Sequence, residues 1–173
     1  MDTGQLLRAL DLAATKHRDQ RRKDQSKSPY INHPIAVARL LWECGVTDET
    51  ALLAAVLHDT IEDTATTHEE LAQLFGAAVA DVVAEVTDDK ALPKARRKEL
   101  QVEHAPHMSR IAKLVKLADK TCNVRDVIDS PPDWPLERRQ QYLDWAKQVV
   151  DGLRDASDEL SARFDEQHAR GVR

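Results

Sequence analysis

His58-Asp59, followed by Glu62-Asp63, sets one imidazole and three carboxylates at the end of the apolar run Leu52-Leu53-Ala54-Ala55-Val56-Leu57. If one helix continues through Asp63, Glu62 lies one turn from His58 and Asp59, and Asp63 one turn from Asp59. Acids near a helix C-terminus oppose the macrodipole. Four polar groups that face one space at the end of a buried helix are costly unless something offsets their charge. A divalent cation would offset it.

Two further residues have the right chemistry to complete such a site. His33 stands in Asn32-His33-Pro34, at the start of a helix, and Asp119 interrupts the apolar stripe of Val115-Lys116-Leu117-Ala118-Asp119-Lys120. Each has a plainer reading: His33 as a cap before proline, Asp119 as a surface acid paired with Lys116 or Lys120. Together with His58 and Asp59 they form a mixed nitrogen and oxygen set. That set suits manganese, iron or zinc better than calcium or magnesium.

The elements that must position these residues read as helices almost throughout. Leu6, Leu7, Leu10, Ala13, Ala14 and His17 mark one face of a first helix, followed by a polar, basic loop over 18–30. Pro34 opens a second helix, which Gly45 stops. Asp48 caps a third, which carries His58-Asp59. Thr67 and Glu70 form a capping box before Leu71, Leu74 and Phe75, and Gly76 separates that helix from one running to about Val86. Residues 87–92 read as a loop, Pro93 opens a helix that Pro106 breaks, and Ile111 to Cys122 belong to another. A last long helix packs Tyr142, Trp145, Ala146, Val149, Val150 and Leu153, and the polar chain beyond Asp158 is expected to fray. The predicted architecture is all-α: a single-domain helical bundle over 1–160 with a metal site between helices, and a polar tail over 161–173.

Composition narrows the function. A chain of 173 residues can bury a core without disulfides. Five glycines and 4% aromatics disfavour a turn-rich β design. The net charge of −5 argues against nucleic acid as partner, though not against a small anion in a locally basic pocket. Cys44 and Cys122 form no CxxC pair and read as reduced core thiols, which suits a cytoplasmic location. No signal peptide or membrane span is apparent. The oligomeric state stays open, a homo-oligomer included.

Several longer motifs give a resemblance. They are His17-Arg18-Asp19-Gln20-Arg21-Arg22-Lys23-Asp24, Pro29 to Ile35, Leu57 to Thr64, Glu85 to Lys90 and Ala112 to Lys120. With the order His33, His58-Asp59, Asp119, the chain resembles the RelA/SpoT-type hydrolase domain of the HD metal-dependent phosphohydrolases. It is similar to stand-alone small alarmone hydrolases such as the metazoan SpoT homologues. The resemblance implies removal of pyrophosphate from the 3′ position of guanosine tetra- or pentaphosphate with Mn2+ as cofactor. It makes His33, His58, Asp59 and Asp119 metal ligands and Glu62 and Asp63 a catalytic pair. It assigns Arg22, Lys23, Asn123, Arg138 and Tyr142 to the substrate. Some of Lys94, Arg96, Arg97 and Lys98 are expected to reach the diphosphates, and Asp88-Asp89-Lys90 to form a structural turn.

Two departures bear on substrate choice. Thr121-Cys122 stands where the family has an apolar residue and a tyrosine, and the loop over 25–28 lacks the usual glycine before Pro29. Losing a ring near the nucleobase side keeps adenosine alarmones and NADPH open as substrates. An alarmone-binding sensor is the non-enzymatic alternative.

Overall fold

The computed structural model describes residues 2–171, so the last two residues of the expected tail lie outside the described part. Ten α-helices are formed, and the single extended pairing among the described residues is an isolated bridge between Arg21 and Pro29. The helices are α1 (Thr3–Lys16), α2 (Asn32–Glu43), α3 (Glu49–Leu57), α4 (Thr60–Asp63) and α5 (His68–Phe75). They continue with α6 (Ala77–Val86), α7 (Lys94–His104), α8 (Arg110–Asp129), α9 (Leu136–Asp151) and α10 (Asp158–Gly171). No helix among the described residues is long and apolar enough to cross a membrane.

Side-chain caps set several starts. The Asp48 carboxylate accepts from Ala51 N–H at 2.9 Å, and the Thr67 hydroxyl from Glu70 N–H at 3.1 Å. Gly45 ends α2 with φ +79°, a left-handed conformation that glycine adopts without steric cost. Lys27 takes φ +51° in the loop where a glycine was missing. Asp24 compensates by accepting from Ser28 N–H at 3.0 Å and from Ser28 Oγ at 2.7 Å.

Two helices form the centre. Ala51 through Leu57 are all buried, so α3 has no solvent face. α8 packs against α2, α3, α6, α9 and α10, and thirteen of its residues are buried. The core around them includes Leu52, Val56, Leu57, Leu114, Leu117 and Val150. α7 contributes no buried residue and forms an outer wall against α9.

Two expectations need correction. The helix carrying His58-Asp59 does not run through Asp63: it ends at Leu57, and Asp59 leaves helical geometry at φ −98°, ψ 0° before α4 begins. The stretch expected to fray is α10, with Leu160 and Phe164 fully buried against α8 and α9. Two apolar residues one turn apart are enough to dock it, although they are too sparse to form a stripe in so polar a sequence.

Candidate functional site

Three elements bring the proposed ligands together. His33 comes from the first turn of α2, His58 and Asp59 from the break between α3 and α4, and Asp119 from the middle of α8. Ligand atoms of His33, His58 and Asp119 lie within 4.8 Å of one another, and all three residues are buried. His33 Nε2 is 3.1 Å from Asp119 Oδ1, and His58 Nε2 is 2.9 Å from Asp59 Oδ2. The break after Leu57 aims these two neighbours, His58 and Asp59, at one space, which a continuous helix would not do.

The protonation pattern fits a cation. His58 Nδ1 lies 2.8 Å from Ala55 O, which can only accept, so Nδ1 carries the proton and the Nε2 lone pair faces the carboxylates. Nε2 is buried and makes no hydrogen bond. Without a positive species, two acceptors would stand 2.9 Å apart in a buried space. For that reason burial fails to lower the pKa of His58: Asp59 and Asp119 outweigh it and push the imidazole up to about 10. Burial holds His33 below its ordinary value despite Asp119. Burial would raise both carboxyls, yet His58 beside Asp59 and Lys120 beside Asp119 keep them well below the usual range. The residues present can therefore hold a divalent metal by two neutral imidazoles and two carboxylates.

Three further residues bond the two carboxylates; the sequence points to Asn123 as a substrate residue and does not single out Tyr30. The Tyr30 hydroxyl donates to Asp59 Oδ2 at 2.5 Å, Lys120 Nζ to Asp119 Oδ2 at 3.0 Å, and Asn123 Nδ2 to Asp119 Oδ1 at 2.5 Å. Lys120 carries a signal of another kind, as a cation beside a buried acid. Burial fails to lower its pKa because Asp119 raises it well above an ordinary lysine.

Glu62 and Asp63 lie next to the ligands and are held by different partners. Glu62 Oε2 accepts from Asp88 N–H at 3.0 Å. Burial raises its pKa, and the nearby Asp88 and Asp59 charges add to that against the hydrogen bond. Asp63 accepts from Gln20 Nε2 at 2.8 Å and pairs with Lys90. The turn over 88–90 thus grips both members of the pair, in line with a structural turn.

All this opens on a cavity of about 990 Å³. Nine lysines and arginines line it against five aspartates and glutamates, in a chain whose net charge is −5. Arg22, Lys23, Asn123, Arg138 and Tyr142 all reach it. Arg22 donates to Asn123 Oδ1 at 2.9 Å and to Asp126 Oδ2 at 2.8 Å, tying the α1–α2 loop to α8. Arg138 stacks on Trp134 at 4.4 Å, and Tyr142 sits between Trp134 and Trp145. Lys94, Arg97 and Lys98 line the cavity, whereas Arg96 faces away and pairs with Glu103 and Glu99. Burial lowers the pKa of Lys23, and Lys94, Arg138 and Arg22 lower it further; Lys98 behaves likewise. Cations held this close and in excess of the carboxylates around them suit a polyanion.

The cysteine substitution falls elsewhere. Cys122 is fully buried in the core and does not line the cavity; burial pushes its thiol up to about 12. Thr121 is buried too, its hydroxyl bonded to Leu117 O at 2.8 Å. Neither residue lines the cavity, so the substitution removes no side chain from its wall.

Comparisons with known proteins agree with this geometry. The HD domain family model matches residues 9–147. The guanosine-3′,5′-bis(diphosphate) 3′-pyrophosphohydrolase MESH1 of Homo sapiens is 57% identical over 161 residues, covering 92% of this chain and 90% of that protein. The protein of the same name in Xenopus tropicalis is 54% identical over 166 residues, covering 95% and 93%. A solved structure described as a metazoan ortholog of SpoT that hydrolyses ppGpp superposes with a TM-score of 0.93 at 48% identity, covering 96% and 95%.

Proposed function

We propose that this chain, which belongs to the HD domain family, hydrolyses the 3′-pyrophosphate of guanosine 3′,5′-bis(diphosphate) with manganese as cofactor. The observation that carries the reading is a buried imidazole and carboxylate cluster on the wall of a cavity with a local excess of cations. The relatives named for this reaction, similar over almost their whole length, support the same assignment.

His33, His58, Asp59 and Asp119 hold the metal in this reading. A divalent metal bound there lowers the pKa of a water and offsets charge gathering on the attacked phosphate. Glu62 takes the proton of the attacking water, a role suited to a carboxyl whose pKa is raised by burial. Asp63, fixed by Gln20 and Lys90, orients the water and the leaving group. The water oxygen ends on the phosphorus, the bond from phosphorus to the 3′ oxygen breaks, and that oxygen takes up a proton. Arg22, Lys23 and Asn123 hold the nucleoside side, and Lys94, Lys98, Arg138 and Tyr142 the phosphates. With Cys122 in the core, no observation favours NADPH or an adenosine alarmone over the guanosine compound. A cytoplasmic location belongs to this reading, as both cysteines are free thiols.

The test is direct. Purified protein with Mn2+ is incubated with ppGpp, an adenosine alarmone and NADPH, and the products are identified by mass. Release of pyrophosphate and GDP is expected; bound but uncleaved ppGpp would indicate a sensor instead. Asp59→Ala should lose metal, while Glu62→Ala should keep metal and lose turnover. Equal loss of metal in both would refute the division of roles.

A further inference from the structure

Glu62 is positioned by a loop, and that loop is tied down by a buried cation outside the substrate cavity. Asp88, whose N–H holds Glu62, is the second residue after α6. Its carboxylate accepts from Gln101 Nε2 of α7 at 2.6 Å. Just before it, the Val86 carbonyl at the end of α6 accepts from Lys116 Nζ of α8 at 2.9 Å. Carbonyls in the last turn of a helix have no partner within the helix, so this bond fixes the point where the loop begins.

Lys116 is an unusual residue to place there. α8 carries three buried lysines, Lys113, Lys116 and Lys120. Lys113 Nζ reaches the exposed Asp155 at 2.7 Å, and Lys120 reaches Asp119 at 3.0 Å. Lys116 forms no ion pair among the described residues, and its one hydrogen bond is to a neutral carbonyl. Burying an ammonium for a single carbonyl bond costs more than the bond returns, and a methionine would fill the same space. What only a cation supplies is positive charge toward the acids around it. Burial and Lys120 lower the pKa of Lys116, and the Asp119, Asp88 and Glu62 carboxylates act against them, drawn to its positive charge. Lys116 lines a separate cavity of about 190 Å³ behind Asp88, whereas Glu62 faces the large one; Asp88 and Gln101 form the wall between them. It therefore acts on Glu62 without being placed to touch substrate.

We propose that Lys116 is a positioning residue for Glu62: its buried ammonium pins the end of α6, and so fixes the Asp88 amide that orients the Glu62 carboxylate. This rests on the reading of Glu62 as the proton acceptor of the hydrolysis.

The test compares Lys116→Met and Lys116→Arg in the manganese-loaded protein, by steady-state kinetics, metal content and hydrogen exchange at the Asp88 amide. Lys116→Met should keep its metal and leave KM within about twofold, because no substrate contact is removed. Its kcat should fall about tenfold to a hundredfold, the range for losing a group that orients an active residue. Exchange at Asp88 should speed up, and Lys116→Arg should restore most of both. Burial and the Asp88 and Asp59 charges raise the pKa of Glu62 and Lys116 lowers it, so removing the Lys116 charge should move the acid limb of kcat to higher pH. Where Lys116→Met does not fold, Lys116→Gln is measured with the same expectation. A neutral variant with wild-type kcat, or with unchanged exchange at Asp88, overturns the proposal, as does a kcat loss matched by metal loss. If the wild type releases no pyrophosphate, the functional reading fails, while Asp88 exchange still tests the link to Lys116.

Discussion

Tyr30→Phe isolates one bond of the metal centre. The hydroxyl donates to Asp59 Oδ2 at 2.5 Å, and the same oxygen stands 2.9 Å from His58 Nε2. Without a metal the carboxylate is also held by the protonated His58 imidazole; once a metal displaces that proton, the Tyr30 hydroxyl still holds the same oxygen in place. Burial and the Asp59 charge keep the phenol protonated far above neutral pH, so the donor is permanent. Phenylalanine keeps the ring, which packs 4.9 Å from His17 and 5.9 Å from His33. It deletes one hydrogen bond to a charged group, worth about 1.5–3 kcal/mol. In the variant, a metal that displaces the His58 proton meets a carboxylate without its orienting donor, and must hold it in place alone. At about 1.4 kcal/mol per factor of ten, Mn2+ affinity should fall roughly tenfold to a hundredfold. Calorimetric titration against a competing chelator measures it. At saturating Mn2+ the variant should turn over at close to the wild-type rate. An affinity within about twofold of wild type would refute this account, because a bond to a buried ligand would then contribute almost nothing.

Further expectations follow from other parts of the structure. Phe164→Ala should destabilise the fold by about 3–5 kcal/mol in urea denaturation, since the ring is fully buried between α10 and its neighbours. A loss under about 1 kcal/mol would mean that α10 is not docked. Cys122→Ala should leave the order of preference among ppGpp, an adenosine alarmone and NADPH unchanged in a kcat/KM comparison, while Cys122→Tyr should cost about 1–3 kcal/mol of stability by overpacking. Substrate binding should weaken on the alkaline side before an ordinary lysine would deprotonate. Lys23 and Lys98 are pushed down by burial and then by neighbouring cations, so they lose charge as pH rises through a lowered pKa. A plot of KM against pH checks this, and Lys23→Met should flatten it.

The metal site was legible in the sequence because its members break hydrophobic patterns. An aspartate within Leu117-Ala118-Asp119 and a histidine after Val56-Leu57 are expensive where they stand, and that expense is visible without coordinates. The residues proposed to bind substrate came from a family resemblance, and the structure brings Arg22, Lys23, Asn123, Arg138 and Tyr142 to one cavity. What stayed hidden were partners remote in sequence. Tyr30 and Asp59 are 29 residues apart, and Arg22 and Asp126 are 104 apart. No periodicity reports a pair of that kind. The break at His58-Asp59 was hidden because no glycine or proline marks it, and the dihedral change falls on an ordinary aspartate. α10 was hidden because two core residues in fourteen do not make a pattern. The Cys122 substitution was legible as a difference, but which way the side chain faces depends on packing.

One consequence of α8 concerns length. Asp119, Asn123 and Asp126 follow one another on a single rigid helix held on several sides. With a rise of about 1.5 Å per residue, the ribose-side asparagine stands roughly 6 Å from the metal-side aspartate, and Asp126 roughly 10 Å. The helix is a ruler. Under the proposed assignment of Asp119 to the metal and Asn123 to the ribose, it sets how far the scissile phosphate lies from the sugar, and loop motion does not stretch it. Discrimination by such a device is metric: a substrate is accepted when its phosphate and its sugar fall on the right graduations, whatever groups lie beyond them.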